Sequence, residues 1–430
     1  MAPRAATSSG VDQAVFADWY RRNRQRSRAL FDLLADEAYY SQPISLRHPI
    51  VFYEGHLPAF SFNTLIKRAL GRPSIDQRLE QLFARGIDPS DADASTRTTR
   101  EQWPSRAEVQ AFANEADAQV LAALTGDDLD RPGDPLLDRA EAPFAILEHE
   151  AMHQETLLYM WHRLPVEQKR APAGYRPRVD GSVPRAEWIE VPAGRATLGV
   201  NRDAIPFGWD NEFPASTAEI AAFSIARHNV TNAEYLEFVK QDDSITPPMF
   251  WERVDGEWHW RGMFGPVPLP PSWPVYVSQA DAEAFARWRG ARLMTEAEFQ
   301  RAAYGTPEGR ERRYPWGEDA PSAQHGVFDF SSWDPEPADT HPAGRSAWGV
   351  DDLVGNGWEW TRTPFAPFAG FKAMPSYPEY SADFFDGEHF VIKGASPATA
   401  RELIRPSFRN WFRARYPYVY ATFRLVSSHP

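Results

Sequence analysis

Residues 143–164 read PFAILEHEAMHQETLLYMWHRL, and the rest of the chain can be read outward from them. Phe144, Ile146, Leu147, Leu157, Leu158 and Met160 recur with a helical period, which predicts a helix from about Pro143 to Leu164. Inside it His149 and His153 are four residues apart. At 3.6 residues per turn they share one face. Two imidazoles so placed can grip one metal ion, leaving positions for a third protein ligand and for reactants. Glu155 lies two residues beyond His153 and is turned about 200° from it. It is expected to orient a ligand or cap the helix, not to bind the ion.

The spacing alone also fits ordinary hydrogen-bonded histidines, so the third ligand matters. In the first 165 residues the remaining histidines are His48, His56 and His162. His162 follows His153 by nine residues, about 180° round the helix. His48 precedes Pro49, in a loop. His56 sits in Tyr53-Glu54-Gly55-His56-Leu57-Pro58-Ala59-Phe60, an apolar and aromatic setting suited to a buried ligand. The alternative for His56 is a hydrogen-bonded core histidine. Neutral imidazoles without thiolates suit Fe(II), Zn, Ni or Cu.

Further helices are expected toward the N-terminus. Val15, Phe16, Trp19 and Tyr20 begin an apolar stripe resumed at Leu30, Leu33 and Leu34. A stretch near His56–Leu70 supplies another helix. Ser105-Arg106-Ala107-Glu108 reads as a capping box before Val109, Phe112, Val120, Leu121 and Leu124. Four helices with medium loops predict a four-helix bundle over 11–165. Pro165, Pro172, Pro177 and Pro184, with Gly174 and Gly181, mark 166–186 as a linker. From 187 to 430 strand-like pieces (Trp188–Pro192, Phe223–Ala226, Pro274–Val277, Phe390–Lys393) alternate with turns and short helices. This half reads as an α+β domain with much irregular chain.

Composition sets the limits. With 430 residues, two domains are expected. The net charge of −13 argues against nucleic-acid partners and anionic membranes. No apolar run approaches the ~20 residues of a membrane span. Residues Met1–Gly10 lack an apolar core and read as a short arm, not a secretory signal, so a cytoplasmic location is expected. Cysteine is absent, which excludes disulfides, thiolate metal sites and cysteine nucleophiles.

The motifs resemble known families. Gly55-His56 with His149…His153-Gln154-Glu155 resembles the three-His site of DinB-like bundles. The C-terminal half resembles the sulfatase-modifying-factor (formylglycine-generating enzyme) domain, a C-type-lectin-related scaffold. The resemblance rests on Val191-Pro192-Ala193-Gly194, Val230-Thr231-Asn232-Ala233-Glu234-Tyr235, Arg292-Leu293-Met294-Thr295-Glu296-Ala297-Glu298-Phe299, Tyr314-Pro315-Trp316-Gly317, Gly355-Asn356-Gly357-Trp358-Glu359-Trp360 and Phe423-Arg424-Leu425. Without cysteines this domain is expected to act as a scaffold or substrate clamp.

The two-domain order, with Phe207-Gly208-Trp209-Asp210-Asn211-Glu212, is similar to the ergothioneine-biosynthesis sulfoxide synthases. That resemblance implies a nonheme Fe(II) on His56, His149 and His153. It also implies hercynine (trimethylated histidine), O2 and a thiol as substrates, and a C–S bond at imidazole C2. Asn410, Trp411 and Phe412 are then candidates for the hercynine pocket, with Arg405, Arg409 or Arg413 for its carboxylate. The alternatives are ordinary core aromatics and arginines paired with acids. The scaffold also allows a structural Ca2+, although no EF-hand-like loop is present.

Three departures stand out. Met152 occupies a position where the family often has Gln. Asn410-Trp411-Phe412 replaces Asn-Trp-Asp, whose Asp holds the donor's amine. A tyrosine expected shortly after Trp-Glu-Trp-Thr is absent from the stretch holding Phe365 and Phe368. Together with the segments 47–60 and 149–156, these departures resemble the selenoneine synthase branch, which implies a selenosugar (selenoglucose) as donor and a C–Se bond. The alternatives are a sulfoxide synthase using cysteine or γ-glutamylcysteine, a Zn or Ni DinB-like thiol transferase needing no O2, and a non-catalytic binding protein.

Overall fold

The computed structural model describes residues 13–84 and 102–427. The expected N-terminal arm Met1–Gly10 and the outermost positions of the two expected domains, 11 and 430, lie outside them. The chain divides into two compact units. The first holds the described residues up to Ala173 together with Ile205–Phe207 and Met374–Tyr377; the second holds Gly174–Ala204, Gly208–Ala373 and the described residues from Pro378.

The first unit is helical: α1 (Gln13–Asp32), α2 (Ile50–Ser61), α3 (Gln77–Leu82), α4 (Arg106–Gly126) and α5 (Glu141–Trp161). The long helices form a bundle in which α1 and α2 each pack on α4 and α5. The α1 stripe buries Phe16, Trp19, Tyr20, Leu30 and Phe31, whereas Val15 is exposed. α2 begins six residues before the predicted His56 and continues as π-helical turns over Phe62–Ala69. Ser105 caps α4 by accepting the Glu108 amide at 3.3 Å. The Glu108 carboxylate pairs instead with Arg78.

A polar seam fixes α5 against α1. Asn23 donates to the Leu147 carbonyl at 2.8 Å, and Arg24 and Ser27 donate to Glu150 at 2.8 and 2.6 Å. Gln154 donates to the Asn23 carbonyl and the Ser27 hydroxyl, both at 2.9 Å. Arg24 also pairs with Asp117 of α4 at 2.9 Å. Glu150, Gln154 and Asn23 are almost wholly buried. Buried polar groups must be paired, and here the pairs hold the rotation of α5 about its axis.

The proline-rich stretch expected to be a linker is not free chain. Ala35 donates to the Gln168 carbonyl at 2.9 Å and Arg170 to that of Leu33 at 2.7 Å. Further on, Trp273 donates to the Arg178 carbonyl at 2.8 Å, and Tyr175 bonds Asp334. Prolines set its direction, and backbone bonds strap it down.

Among its described residues the second unit holds the strands β1 (Trp188–Val191), β2 (Gly194–Leu198), β3 (Ser216–Ile220), β4 (Phe223–Ala226), β5 (Trp251–Val254), β6 (Glu257–Gly262), β7 (Gly265–Pro268), β8 (Gly357–Pro364), β9 (His389–Ala395), β10 (Asn410–Arg413), β11 (Ala421–Thr422) and β12 (Val426–Ser427). They form sheets ordered β1-β4-β12, β10-β9-β8-β11, β2-β3 and β5-β6-β7. Helices α6 (Asn232–Val239), α7 (Gln279–Trp288) and α8 (Glu296–Tyr304) complete it. Pro274–Val277, expected as a strand, is among the described residues an isolated bridge, Pro274 with Thr231, flanked by Val275 donating to the Val230 carbonyl at 2.9 Å and Val277 to that of Ala421 at 3.0 Å. The proline lacks the donor that a continued ladder requires.

The sequence motifs of this half are its buried polar fastenings. Arg424 and Glu359, both fully buried, bond at 2.8 and 2.9 Å. Arg424 also donates to the carbonyls of Arg227 and Asp351, each at 2.9 Å. Thr231 with Glu234, and Thr295 with Glu298, form reciprocal caps at the starts of α6 and α8. Glu212 accepts from Arg405 at 2.8 Å and Ser407 at 2.6 Å. Breaking a buried pair leaves an uncompensated charge. Arg424→Met is therefore expected to destabilise this unit by about 3–5 kcal/mol in urea unfolding, and the double variant Arg424→Met/Glu359→Met by less than Arg424→Met alone.

Candidate metal centre

His56 of α2 meets His149 and His153 of α5, and one ring nitrogen from each lies within 4.8 Å of the others. The His56 and His149 Nε2 atoms are 3.3 Å apart. Two nitrogens on one first-row metal at about 2.1 Å, with angles of 90–109°, would be separated by about 3.0–3.4 Å.

The surroundings fix the donors. The His56 Nδ1–H donates to the Phe83 carbonyl at 2.7 Å, which leaves the Nε2 lone pair facing the cluster. Gly55 permits this. A Cβ there would lie 2.4–2.5 Å from the Phe83 ring, which is packed against Phe52, Trp103 and Phe112. Phe60 stacks on His149 at 3.5 Å between centroids. His48, in a loop as expected, stacks on Phe52 at 4.1 Å, and Phe52 on His56 at 5.0 Å. The Nδ1 atoms of His149 and His153 have no hydrogen-bond partner among the described residues.

Burial disfavours imidazolium here. It pushes His56 down to about 4, opposed by the Phe83 bond and reinforced by His48. His149 falls well below the usual range through burial and its histidine neighbours. His153 falls likewise through burial, then His56, Arg47 and His48. All three are neutral at pH 7, the form that binds metal. Buried, neutral, convergent nitrogens with unpartnered ring atoms fit a three-His metal site. Glu155 is buried but supplies no ligand atom to the cluster.

One aromatic was missed by sequence reasoning. Tyr377 belongs to the first unit, on the segment Met374–Tyr377. Arg68 holds that segment by donating to the Ser376 and Pro375 carbonyls at 2.9 and 3.0 Å, and Glu141 accepts the Ser376 amide at 3.1 Å. The Tyr377 ring lies 5.3 Å from Phe60 and 6.2 Å from His149. A phenol is thus present at the cluster, supplied from further along the chain than the stretch holding Phe365 and Phe368. The only signal in the sequence was a tyrosine framed by Pro375 and Pro378.

The other expected residues lie in the second unit, apart from Met152, which is half-buried on α5 beside His153. Asn410, Trp411, Phe412 and Arg413 form β10. Alternation along the strand sends Trp411 and Phe412 to opposite faces. Trp411 stacks on Phe365 at 4.2 Å and Phe412 on Tyr416 at 5.1 Å. They do not form one aromatic wall. Phe365 is buried, and the Arg409 guanidinium covers it at 5.0 Å and Phe368 at 4.3 Å. Arg409 pairs with Glu296 at 2.8 Å and Arg405 with Glu212, so these two arginines are structural. Arg413 is exposed, 3.9 Å from Glu388.

Comparison with known proteins places this geometry. The DinB superfamily model matches residues 20–157, and the sulfatase-modifying factor enzyme 1-like domain matches 177–429. The chain is 35% identical to the hercynine oxygenase of Mycolicibacterium thermoresistibile, over 83% of this chain and 81% of that protein. The chain belongs to the hercynine oxygenase family. A second relative, the hercynine oxygenase of Mycobacterium tuberculosis, is 34% identical over 82% of this chain and 88% of its own length. The ergothioneine biosynthesis protein 1 of Schizosaccharomyces pombe is 30% identical over 92% of this chain and 54% of its own length. As a member of the hercynine oxygenase family the protein is an oxidoreductase. Among the described residues, no helix is long and apolar enough to cross a membrane.

Two outcomes are expected. His56→Ala and His149→Ala should each abolish stoichiometric iron in reconstituted protein, by elemental analysis. The metal-free protein should lose stability as pH falls from about 6.5 to about 4, since the unfolded chain takes up a proton at His56 that the fold refuses. Roughly 3 kcal/mol of this slope should vanish in His56→Gln, measured by urea unfolding across pH.

Proposed function

We propose that the protein is a nonheme Fe(II), O2-dependent enzyme joining a thiol sulfur to imidazole C2 of hercynine. The observation that carries this is the buried, neutral His56–His149–His153 cluster in a chain whose relatives over most of its length are hercynine oxygenases. Iron held there would supply open positions for the imidazole, the chalcogen and O2, and would lower the pKa of a bound thiol.

The chain's own residues then do the following work. The Phe83 carbonyl keeps His56 in the tautomer that presents Nε2. Phe60 covers the face of His149 against water. Tyr53, whose ring lies 5.7 Å from that of His153, joins Phe60 and Tyr377 in offering aromatic faces. A trimethylammonium group has no hydrogen to donate and is attracted to such faces. The Tyr377 hydroxyl is the candidate proton donor on the His149 side. Ordering the reactants in one site lowers the barrier by proximity.

A selenosugar donor, giving a C–Se bond as in selenoneine synthesis, is the second reading. One observation favours it: Phe412, stacked on Tyr416, offers no carboxylate where the family's Asp would hold a donor amine. The presence of Tyr377 at the cluster weighs toward sulfur, because the phenol that seemed missing is there.

Anaerobic Fe(II) reconstitution, followed by hercynine, O2 and either cysteine, γ-glutamylcysteine, thioglucose or selenoglucose, separates the readings by mass spectrometry. A sulfoxide with cysteine or γ-glutamylcysteine, lost in His149→Ala, is the expected result. An adduct with selenoglucose alone would transfer the function to selenium. O2-independent turnover with Zn or Ni would return it to the thiol transferases.

A further inference from the structure

Tyr377 joins the first unit on a short segment, Met374–Tyr377, whose peptide groups are held from outside it. Pro375 and Pro378 have no amide to donate. The carbonyls of Pro375 and Ser376 both accept from one guanidinium, that of Arg68, at 3.0 and 2.9 Å. The amide of Ser376, a fully buried residue, donates to Glu141 at 3.1 Å. Both holders sit on the elements that carry the metal cluster. Arg68 lies on the π-helical turns Phe62–Ala69 that continue α2 beyond His56, where Leu70 donates to the Leu65 carbonyl at 3.0 Å, five residues back. Turns of this width are rare, and they point Arg68 at an angle that a continued α-helix would not give it. Glu141 opens α5 about two turns before His149. It follows Arg139 and Ala140, whose φ of 56° and 55° are left-handed values that non-glycine residues hold only where their surroundings impose them.

We propose that Arg68 is a positioning residue: through the Pro375 and Ser376 carbonyls it sets where the Tyr377 phenol stands relative to His149. This rests on the functional reading above, in which Tyr377 is the proton donor, and adds what keeps that donor in register with the metal ligands. The Tyr377 ring lies 5.3 Å from Phe60 and 6.2 Å from His149, so a shift of the segment moves the phenol directly against the cluster. A guanidinium suits the task, because one rigid planar group fixes two successive carbonyls and its charge does not titrate. The two prolines already restrict the backbone, so few bonds are needed to direct the tyrosine between them. Arg68 itself is exposed, and its replacement leaves the packing of the bundle intact.

Kinetics of the Fe(II)-loaded protein and hydrogen exchange of the metal-free protein test this together. Arg68→Met is expected to lower kcat roughly 10- to 100-fold, as a misplacement of about 1 Å does, with iron content and the KM for hercynine unchanged. Arg68→Lys should recover part of the loss. Introduced into Tyr377→Phe, Arg68→Met should lower kcat no further, because it acts only through the phenol. In the metal-free protein, mass spectrometry should show faster exchange in peptides spanning Met374–Tyr377 of Arg68→Met, with exchange across α2 and α5 unchanged. Unchanged kcat in Arg68→Met or in Tyr377→Phe, loss of iron along with kcat, a further loss on top of Tyr377→Phe, or unchanged exchange in the segment would each overturn the positioning role and leave the iron-enzyme reading in place. Failure of the unaltered protein to turn hercynine over with any donor would overturn that reading instead, and the hold of Arg68 on the segment would then be decided by the exchange result alone.

Discussion

Helix α5 is buried on nearly every side, and it carries polar groups on two faces about 100° apart that must each be satisfied. On one flank Glu150 and Gln154 are closed by Asn23, Arg24 and Ser27 of α1. On the other, His149 and His153 have ring nitrogens with no hydrogen-bond partner among the described residues. Residues 149 and 150 cannot exchange places without stranding a charge in an apolar core. The α1 seam therefore fixes which way the histidines face, and α2 needs only to bring His56 to the same point.

That second requirement explains the tight packing around α2. Its residues are buried throughout, and Phe83 both fills the space above Gly55 with its ring and accepts the His56 Nδ1–H hydrogen bond with its carbonyl. One residue thus enforces a glycine and a tautomer at neighbouring positions. The same burial that makes imidazolium costly keeps all three rings in the metal-binding form. The centre is preorganised by desolvation as much as by direction.

The second unit uses another economy. Its sequence motifs are buried polar fastenings. Arg424 with Glu359, Arg405 with Glu212 and Arg409 with Glu296 join distant segments through buried charged pairs. With so much irregular chain, backbone ladders cannot satisfy every peptide group, and side chains take over. Within the first unit, the segment Met374–Tyr377 brings Tyr377 beside Phe60.

The sequence by itself determined what depends on local period and chemistry. The i, i+4 spacing of His149 and His153 puts both on one helical face wherever the helix is placed, and the absence of cysteine removes thiolate chemistry. Tertiary structure decided what depends on distant partners. Trp411 and Phe412 are adjacent in sequence yet face opposite ways, because a strand alternates and each found its own aromatic neighbour. Arg405 and Arg409 looked available until Glu212 and Glu296, far away in the chain, were seen to neutralise them. Tyr377 could not be placed from spacing, since the length of an irregular loop says little about where it returns. Periodicity is written in each segment, whereas the partner of a buried charge or ring is set by the folded chain as a whole.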